Sequence, residues 1–283
     1  MPEKSSSEIF PLCDTGKGFK IGNAIACALA SKATYLAPEL IPKIVIDEWG
    51  FTDYRRINGN HIQGFVATSK RITLVAFRGS EAHVSNWQDN LDAGFVPGPF
   101  NEGDRLHRGF AQGTLQLLHE IQTRIKALGD PDAPLFLTGH SLGAALATLT
   151  AASFYNESRP VHSVYGFGSP RVGCRHFRKS YQSRDAGRTF RVVNQHDLIA
   201  RTPPRFLRYR HVGLLRYLDD NAAIHADPNT WQRLLLYVNP KGRNPREYIN
   251  AILERFPGAI DDHRIENYLE KLQSLSDRND KPL

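Results

Sequence analysis

The sequence predicts an α/β fold in which helices cover a central β-sheet. Short runs of β-branched and aromatic residues alternate with helical patterns along most of the chain. Hydrophobic residues make up 41% of the 283 residues and charged residues 23%, an ordinary globular composition that excludes a disordered or collagen-like chain. No internal repeat or Ser/Gly linker divides the sequence, so we expect one domain over residues 1–283 with a loose tail at 277–283.

The strand candidates follow one another along the chain. They cover residues 62–68, 72–77, 135–138, 161–167, 189–194 and 209–218. The polar residues 69–71 between the first two candidates indicate a hairpin-like connection.

Helical periodicity accounts for most of the remaining sequence. It predicts helices over residues 22–35, 113–128, from 142 onward, 230–238, 245–256 and 264–275. Asn244 is a typical N-cap, Pro245 suits a first helical position, and Gly258 lies just past the end of that helix. Residues 221–258 therefore form an expected helical insertion, which packs on the sheet or caps a pocket.

Two of these helices carry a clear apolar stripe. The stripes are Leu115, Leu118, Ile121, Ile125 and Leu128 in one helix, and Ile265, Tyr268, Leu269, Leu272 and Leu275 in the last helix. We expect both stripes to face the core.

The strongest functional signal is Gly-His-Ser-Leu-Gly at residues 139–143, between an apolar strand and a small-residue helix. This Gly-x-Ser-x-Gly pattern is typical of a nucleophile elbow, in which a strained turn holds the serine hydroxyl above the carboxyl end of a strand. The residues two before and two after the serine must lack bulk, and both are glycine. The pattern predicts Ser141 as a nucleophile.

A serine nucleophile needs a base, and the base needs an orienting acid. Asp197 follows the predicted strand 189–194, at the sheet edge where open α/β sheets place catalytic residues. After this elbow the acid and then the histidine follow along the chain, and His211, His225 and His263 all follow Asp197. His211 lies within or near a strand and His263 precedes the last helix; the residues alone leave these two open.

Acyl transfer also needs hydrogen-bond donors for the developing oxyanion. The backbone N–H of Leu142, directly after the serine, is one expected donor. Ser80 is the other, through its N–H and its hydroxyl, because it follows the early strand 72–77.

Together these motifs resemble the class 3 lipases, fungal-type triacylglycerol lipases of the α/β-hydrolase fold. The matching blocks are residues 76–80, 86–87, 107–110, 138–143, 167–173 and 193–204. The resemblance implies a mostly parallel central sheet flanked by helices, with a short lid at about residues 81–98 after the oxyanion strand.

The resemblance also implies roles for single residues. Ser141 is the implied nucleophile, Asp197 the acid and His263, rather than His211, the base. Ser80 and Leu142 are the implied oxyanion donors.

The expected reaction is hydrolysis of a carboxylic ester through an acyl-enzyme, with a triacylglycerol lipase acting on acylglycerols as the preferred interpretation. Phospholipase A1, a feruloyl-type esterase and a short-chain carboxylesterase share the motifs, and a non-catalytic binding scaffold is a further alternative. The mechanism requires no metal or organic cofactor. The sequence has no His-Glu-x-x-His, no P-loop and no Gly-x-Gly-x-x-Gly.

The net charge of +7 is unevenly distributed. Residues 171–216 hold 12 Lys or Arg against two acids, so this segment carries +10 and the remainder −3. A solvated surface is the simplest interpretation. We also expect four arginines near the mouth of the site to attract anionic lipid surfaces: Arg201, Arg205, Arg208 and Arg210. No nucleic-acid-binding motif accompanies the charge.

Three widely spaced cysteines predict neither a disulfide framework nor a zinc site. No apolar run approaches the roughly 20 residues of a membrane span. The sequence shows no convincing signal peptide, so we expect a cytoplasmic location, with secretion by another route as the alternative.

Overall fold

A computed structural model of the protein describes residues 10–279 apart from residues 15, 17, 60–61, 80–93, 129, 131, 186 and 227–243. The strands of its main sheet are β1 (Asp53–Gly59), β2 (Ile62–Thr68), β3 (Thr73–Phe77), β6 (Leu135–His140), β7 (Ser163–Phe167), β8 (Thr189–Asn194), β9 (Leu214–Leu218) and β10 (Ile224–Ala226). Two short strands, β4 (Phe95–Pro97) and β5 (Arg105–His107), form a separate antiparallel pair. The main sheet has the order β1-β2-β3-β6-β7-β8-β9-β10.

Five neighbouring strands, β3, β6, β7, β8 and β9, run parallel. Antiparallel pairs extend the sheet at both edges, and one of them is the predicted hairpin of β2 and β3. The predicted mostly parallel sheet is therefore confirmed. Because parallel strands end at the same edge, the residues after β6, β7 and β8 meet there.

Helices cover both faces of the sheet, as an α/β fold requires. They are α1 (Ile21–Ala33), α2 (Arg108–Leu128), α3 (Leu142–Asn156), α4 (Arg175–Asp185), α5 (Pro245–Arg255) and α6 (Ile265–Asn279). Apolar residues of α2, α3 and α4 share one core with the sheet, and those of α1 and α6 share another. In α5, Asn244 Oδ1 accepts from the backbone N–H of Glu247, which confirms the predicted N-cap.

The apolar stripe predicted for α2 is partly wrong. The helix buries Leu117, Ile121 and Ile125, whereas the side chain of Leu115 is 68% exposed. Leu115 and Leu117 lie about 200° apart around a helix, so the two side chains cannot share one face.

The strand predicted over residues 209–218 is shorter than expected, because only Leu214–Leu218 joins the sheet. Gly213 has a φ of 75°, and a Cβ there would lie 2.7 Å from the carbonyl oxygen of Thr189. The chain therefore turns sharply just before β9. Residue Arg210 instead forms an isolated bridge with Gly173.

Two elements, β1 and α4, were not predicted from the sequence. Most residues of both elements are polar or charged, and Phe177 and Tyr181 are the only apolar residues of α4. Two apolar residues four positions apart are too few to show a clear helical period.

Other predictions fall on residues that lie outside the described part of the chain. These are Ser80, the helix 230–238 and most of the lid segment 81–98. The single-domain organisation and the helical insertion at 221–258 remain predictions. Among the described residues, no helix is both long and apolar enough to cross a bilayer.

Candidate active site

Ser141 occupies the turn between β6 and α3, so the predicted order of strand, serine and helix is present. Its φ of 58° and ψ of −126° are a strained conformation for a residue with a side chain. The turn leaves the N–H of Leu142 at the start of α3, where the first N–H groups have no acceptor within the helix. Ser141 itself is 4% exposed.

Two glycines allow this turn to form. A Cβ at Gly139 would lie 2.7 Å from the backbone nitrogen of Ala144, and a Cβ at Gly143 would collide with the carbonyl group of Phe77 in β3. The turn is therefore packed against its own helix and against the neighbouring strand. Any larger residue at either position would push Ser141 out of place.

His263 and Asp197 form a direct hydrogen bond at the same edge of the sheet. His263 Nδ1–H donates to Asp197 Oδ2 over 2.8 Å, and both side chains are buried. The second carboxylate oxygen, Oδ1, accepts from the backbone N–H groups of Ile199 at 2.7 Å and Ala200 at 3.1 Å. The hydroxyl of Tyr268 donates to Oδ2 over 2.5 Å. Four donors thus fix the carboxylate, and the bond to Asp197 uses Nδ1 of His263 rather than Nε2.

The pKa of the Asp197 carboxyl lies below its usual value. Burial alone would raise this pKa, but the nearby His263 and the hydrogen bonds from His263, Tyr268 and Ala200 outweigh the cost of burial. Asp197 is therefore a carboxylate, the form that accepts from Nδ1–H.

Gly168, directly after β7, brings the elbow and the Asp197–His263 pair together. A Cβ there would lie 2.6 Å from Asp197 Oδ2 and 2.7 Å from His263 Nδ1, and its φ is 58°. The preceding residue, Phe167, accepts a hydrogen bond from Ser141 N over 2.9 Å. The elbow thus contacts Phe167, and the Asp197–His263 pair contacts the next residue along the chain, Gly168.

His140, the residue before Ser141, holds the main chain of His263. Burial, and then the nearby His263, lower the pKa of His140 to about 3, so this ring is neutral at pH 7. Its Nε2–H donates to the carbonyl oxygen of His263 over 2.6 Å. Its Nδ1 accepts from the Tyr35 hydroxyl over 2.9 Å.

The other two histidine candidates lie elsewhere. His211 Nε2–H donates to the carbonyl oxygen of Ala200 over 2.8 Å, and burial together with Arg191 and Arg171 lowers its pKa well below the usual range. His225 pairs with Asp219. Of the three, the structure brings only His263 to Asp197.

The roles of Tyr268, Gly168 and His140 were not predicted from the sequence. Tyr268 was predicted as a core residue of the last helix, and it is fully buried, but its hydroxyl serves the carboxylate. A tyrosine one turn after a candidate base, on an apolar stripe, is the only trace of this role in the sequence. Among the described residues, no group of three or more His, Cys, Asp or Glu side chains could hold a metal ion.

Comparison with known proteins places part of the chain among lipase sequences. Residues 74–207 match the model of the family described as Lipase (class 3). This central segment, slightly less than half of the chain, therefore resembles the class 3 lipases. The matched segment contains Ser141 and Asp197 and ends before His263, so the place of the histidine rests on the structure.

A curated lipase and a curated phospholipase resemble the chain over part of their length. Secreted mono- and diacylglycerol lipase 1 of Fusarium solani is 32% identical over 162 residues, which cover 56% of this chain and 48% of the fungal protein. Phospholipase A1-II 1 of Oryza sativa subsp. indica is 30% identical over 206 residues, which cover 62% of this chain and 51% of the plant protein. The chain spans about half the length of these relatives.

Solved lipase structures share the fold. A triacylglycerol lipase superposes with a TM-score of 0.60 at 24% identity, over 75% of this chain and 84% of that chain. The triacylglyceride lipase of Rhizomucor miehei superposes with a TM-score of 0.59 at 23% identity, over 71% of this chain and 81% of that chain. The predicted α/β-hydrolase fold is thereby confirmed.

Proposed function

We propose that the chain is a serine carboxylic ester hydrolase that forms an acyl-enzyme on Ser141. In this proposal His263 is the general base and Asp197 is the acid that orients it. The observation that carries the proposal is the 2.8 Å hydrogen bond from His263 to Asp197 beside the strained elbow of Ser141. Support also comes from a triacylglycerol lipase of the same fold whose catalytic centre is a serine protease triad.

The reaction consists of two acyl transfers, the first from the ester to Ser141 Oγ and the second from Ser141 Oγ to water. His263 Nε2 takes the proton of Ser141 Oγ as this oxygen attacks the ester carbonyl carbon. The bond to the alcohol then breaks, and the alcohol leaves with the proton from Nε2. Water gives a proton to Nε2 and attacks the acyl carbon, which releases the carboxylic acid and restores Ser141. Asp197 keeps Nδ1 protonated throughout, so that Nε2 remains the proton acceptor.

Leu142 and Ser80 are the proposed oxyanion donors. The N–H of Leu142 lies at the positive end of α3, where negative charge is favoured. The backbone of Gly79 packs against the elbow, because a Cβ there would lie 3.2 Å from Ser141 Cβ and 2.7 Å from the carbonyl oxygen of His140. This contact supports Ser80, the next residue along the chain, as the second donor.

Acylglycerols are the substrate class that we propose. The similarity to a mono- and diacylglycerol lipase supports this choice. Phospholipase A1 is the second candidate, because the rice enzyme matches over the longer segment, 206 residues against 162. Both reactions cleave a glycerol ester at the same type of site.

A substrate panel tests this proposal. The purified protein is assayed on acylglycerol emulsions, phosphatidylcholine vesicles and p-nitrophenyl esters of increasing chain length. We expect the fastest release of carboxylic acid from acylglycerols. Faster release from phosphatidylcholine would favour a phospholipase A1, and activity confined to p-nitrophenyl acetate would favour a short-chain carboxylesterase. The absence of hydrolysis on every ester would contradict the proposal.

The basic segment divides into buried and exposed arginines. Arg201 was expected at the surface, but it is 5% exposed, its guanidinium lies 5.3 Å from the ring centre of Phe256, and its Nη2 donates to His196 Nδ1. Arg171 is 1% exposed and donates to backbone carbonyl groups. These two arginines stabilise the fold and cannot reach a membrane.

The exposed basic residues form what we call the arginine patch. It consists of Arg175, Arg178, Lys179, Arg205 and Arg208, with half-buried Arg210. Burial, and then Arg205, Arg175 and Arg178, lower the pKa of Arg210, which places these four arginines near one another. No carboxylate within the described part of the chain lies within 4.0 Å of any of them. Phe206, between two patch residues, is 47% exposed.

We propose that the arginine patch contacts anionic lipid surfaces and that Phe206 enters the interface. The variant Arg205→Ala/Arg208→Ala is expected to bind phosphatidylserine-containing vesicles about 30-fold more weakly, because each basic side chain near such a surface contributes about 1 kcal/mol. Vesicle sedimentation measures this change. The control Lys70→Ala/Arg71→Ala, at the opposite edge of the sheet, should leave binding unchanged. Equal loss in both variants would contradict a specific patch.

A further inference from the structure

Residues 261–263 form a short turn before α6, which we call the base loop because it ends in His263. Side chains and backbone from two elements fix it. Asn267 Nδ2 donates to the carbonyl oxygen of the first loop residue over 2.8 Å. The backbone N–H of His196 donates to Asp262 Oδ2 over 3.1 Å. Asn194 Nδ2 donates to the carbonyl oxygen of Asp262 over 3.0 Å.

Asn194 links the strand of the acid to the loop of the base. It is the last residue of β8, three positions before Asp197, and its side chain is 1% exposed. Its amide group donates to the peptide that directly precedes His263. A rigid strand end therefore sets the distance between the acid and the base.

Lys271 determines which way the Asn194 amide points. Its ammonium group donates to Asn194 Oδ1 over 2.8 Å and to the carbonyl oxygen of Asp219 over 3.0 Å. An ammonium group only donates, and a backbone carbonyl only accepts. Between the two, the asparagine amide has one favourable orientation, with Oδ1 toward Lys271 and Nδ2 toward Asp262.

We propose that Asn194 and Lys271 act together as positioning residues for His263, an inference that rests on the proposed function. Neither side chain reaches the reacting atoms. Both act through the peptide that carries His263. Without Lys271 only the bond to Asp262 still favours this orientation of the Asn194 amide, and in the rotated form the amide oxygen faces the carbonyl oxygen of Asp262. Repulsion between the two oxygens then shifts the base loop and the imidazole.

A displaced imidazole is expected to change only the rate of the chemical step. Proton transfer from Ser141 depends on the position of the imidazole to well below 1 Å, and the proposal gives Asn194 and Lys271 no contact with the substrate. We therefore expect kcat to fall and KM to remain constant. A change that merely unfolded part of the protein would lower the amount of active enzyme instead.

Two variants interrupt the chain of hydrogen bonds at different points. Asn194→Asp keeps the size of the side chain and the contact with Lys271, but it presents an oxygen to Asp262. Lys271→Met keeps the length of the side chain and removes the ammonium group. Lys271→Arg restores a donor-only cation, and Gln273→Ala is a matched control on the exposed side of α6.

The first measurement is the rate constant for labelling of Ser141 by a fluorophosphonate, with the final stoichiometry as a count of folded sites. The second is the pair kcat and KM on a soluble p-nitrophenyl ester. Asn194→Asp and Lys271→Met should each lower the rate constant and kcat about tenfold at full final labelling and unchanged KM. The double variant should lose no more than either single variant, and Lys271→Arg should recover most of the rate.

Wild-type labelling rates in Asn194→Asp and Lys271→Met would overturn the inference, as would losses that multiply in the double variant. A raised KM with unchanged kcat would also overturn it. The proposed function fails separately, through a wild-type protein that hydrolyses no ester or a Ser141→Ala variant that remains active.

Discussion

Alanine at position 141 is expected to lower kcat for ester hydrolysis about 10⁶-fold, as does loss of the nucleophile in a serine protease. Without Ser141 Oγ no acyl-enzyme forms, and the remaining rate comes from substrate binding and the oxyanion donors. Initial rates on a p-nitrophenyl ester measure the change. Protein concentration must be set by absorbance, since the variant cannot be titrated at its active site.

A second serine on α3 provides the control. Ser153 donates to the carbonyl oxygen of Leu149 within its own helix and lies away from the sheet edge that holds the site. Ser153→Ala should therefore hydrolyse esters at the wild-type rate. Equal hydrolysis by Ser141→Ala and the wild type would show that another residue is the nucleophile.

Asparagine at position 197 is expected to lower kcat about 10⁴-fold with little change in the fold. The carboxylate accepts from the backbone N–H groups of Ile199 and Ala200 through one oxygen and from His263 and Tyr268 through the other. An asparagine that satisfies the backbone donors with its oxygen turns its NH₂ group toward His263. Nδ1 must then accept, and Nε2 carries the proton that it should take from Ser141.

The same assay and a thermal melt test this second prediction. The melting curve should remain cooperative while the rate falls, because the substitution exchanges atoms of equal size. Asp132→Asn is a suitable control, since Asp132 is exposed near the amino-terminal end of β6. A loss of less than about tenfold in Asp197→Asn would contradict the role of Asp197 as orienting acid.

The elbow could be predicted because local sterics dictate it. A serine at φ 58° between a strand and a helix needs small neighbours, and Gly139 and Gly143 satisfy that need within five residues of sequence. Asp197 could be predicted for a similar reason. A buried strand shows in the sequence as an apolar run, and Asp197 follows closely after the end of such a run. Both predictions depend on periodicity and turn chemistry over short distances.

The base could not be chosen from local pattern. His211 and His263 both follow the acid, and the choice depends on which of them the fold carries back across 66 positions to Asp197. Resemblance to the class 3 lipases supplied that choice. The roles of Gly168 and Asn194 could not be predicted for the same reason, because they come from contacts between elements that are distant along the chain.

The exposure of individual charged and apolar side chains was also predicted incorrectly. Arg201 lies four residues after Asp197, yet it is buried against the ring of Phe256 and donates to His196 Nδ1. Leu115 lies in an apolar stripe, yet it faces outward. A count of charges or apolar residues does not show which face of an element the neighbours cover.

Covalent labelling of the wild type and of His263→Ala with a fluorophosphonate tests the central claim most directly. If Ser141 is activated by His263, mass spectrometry should find one adduct per chain, on the peptide that contains Ser141, and His263→Ala should react at least about 10³-fold more slowly. An adduct on another residue, or equal labelling rates in the two proteins, would contradict the claim.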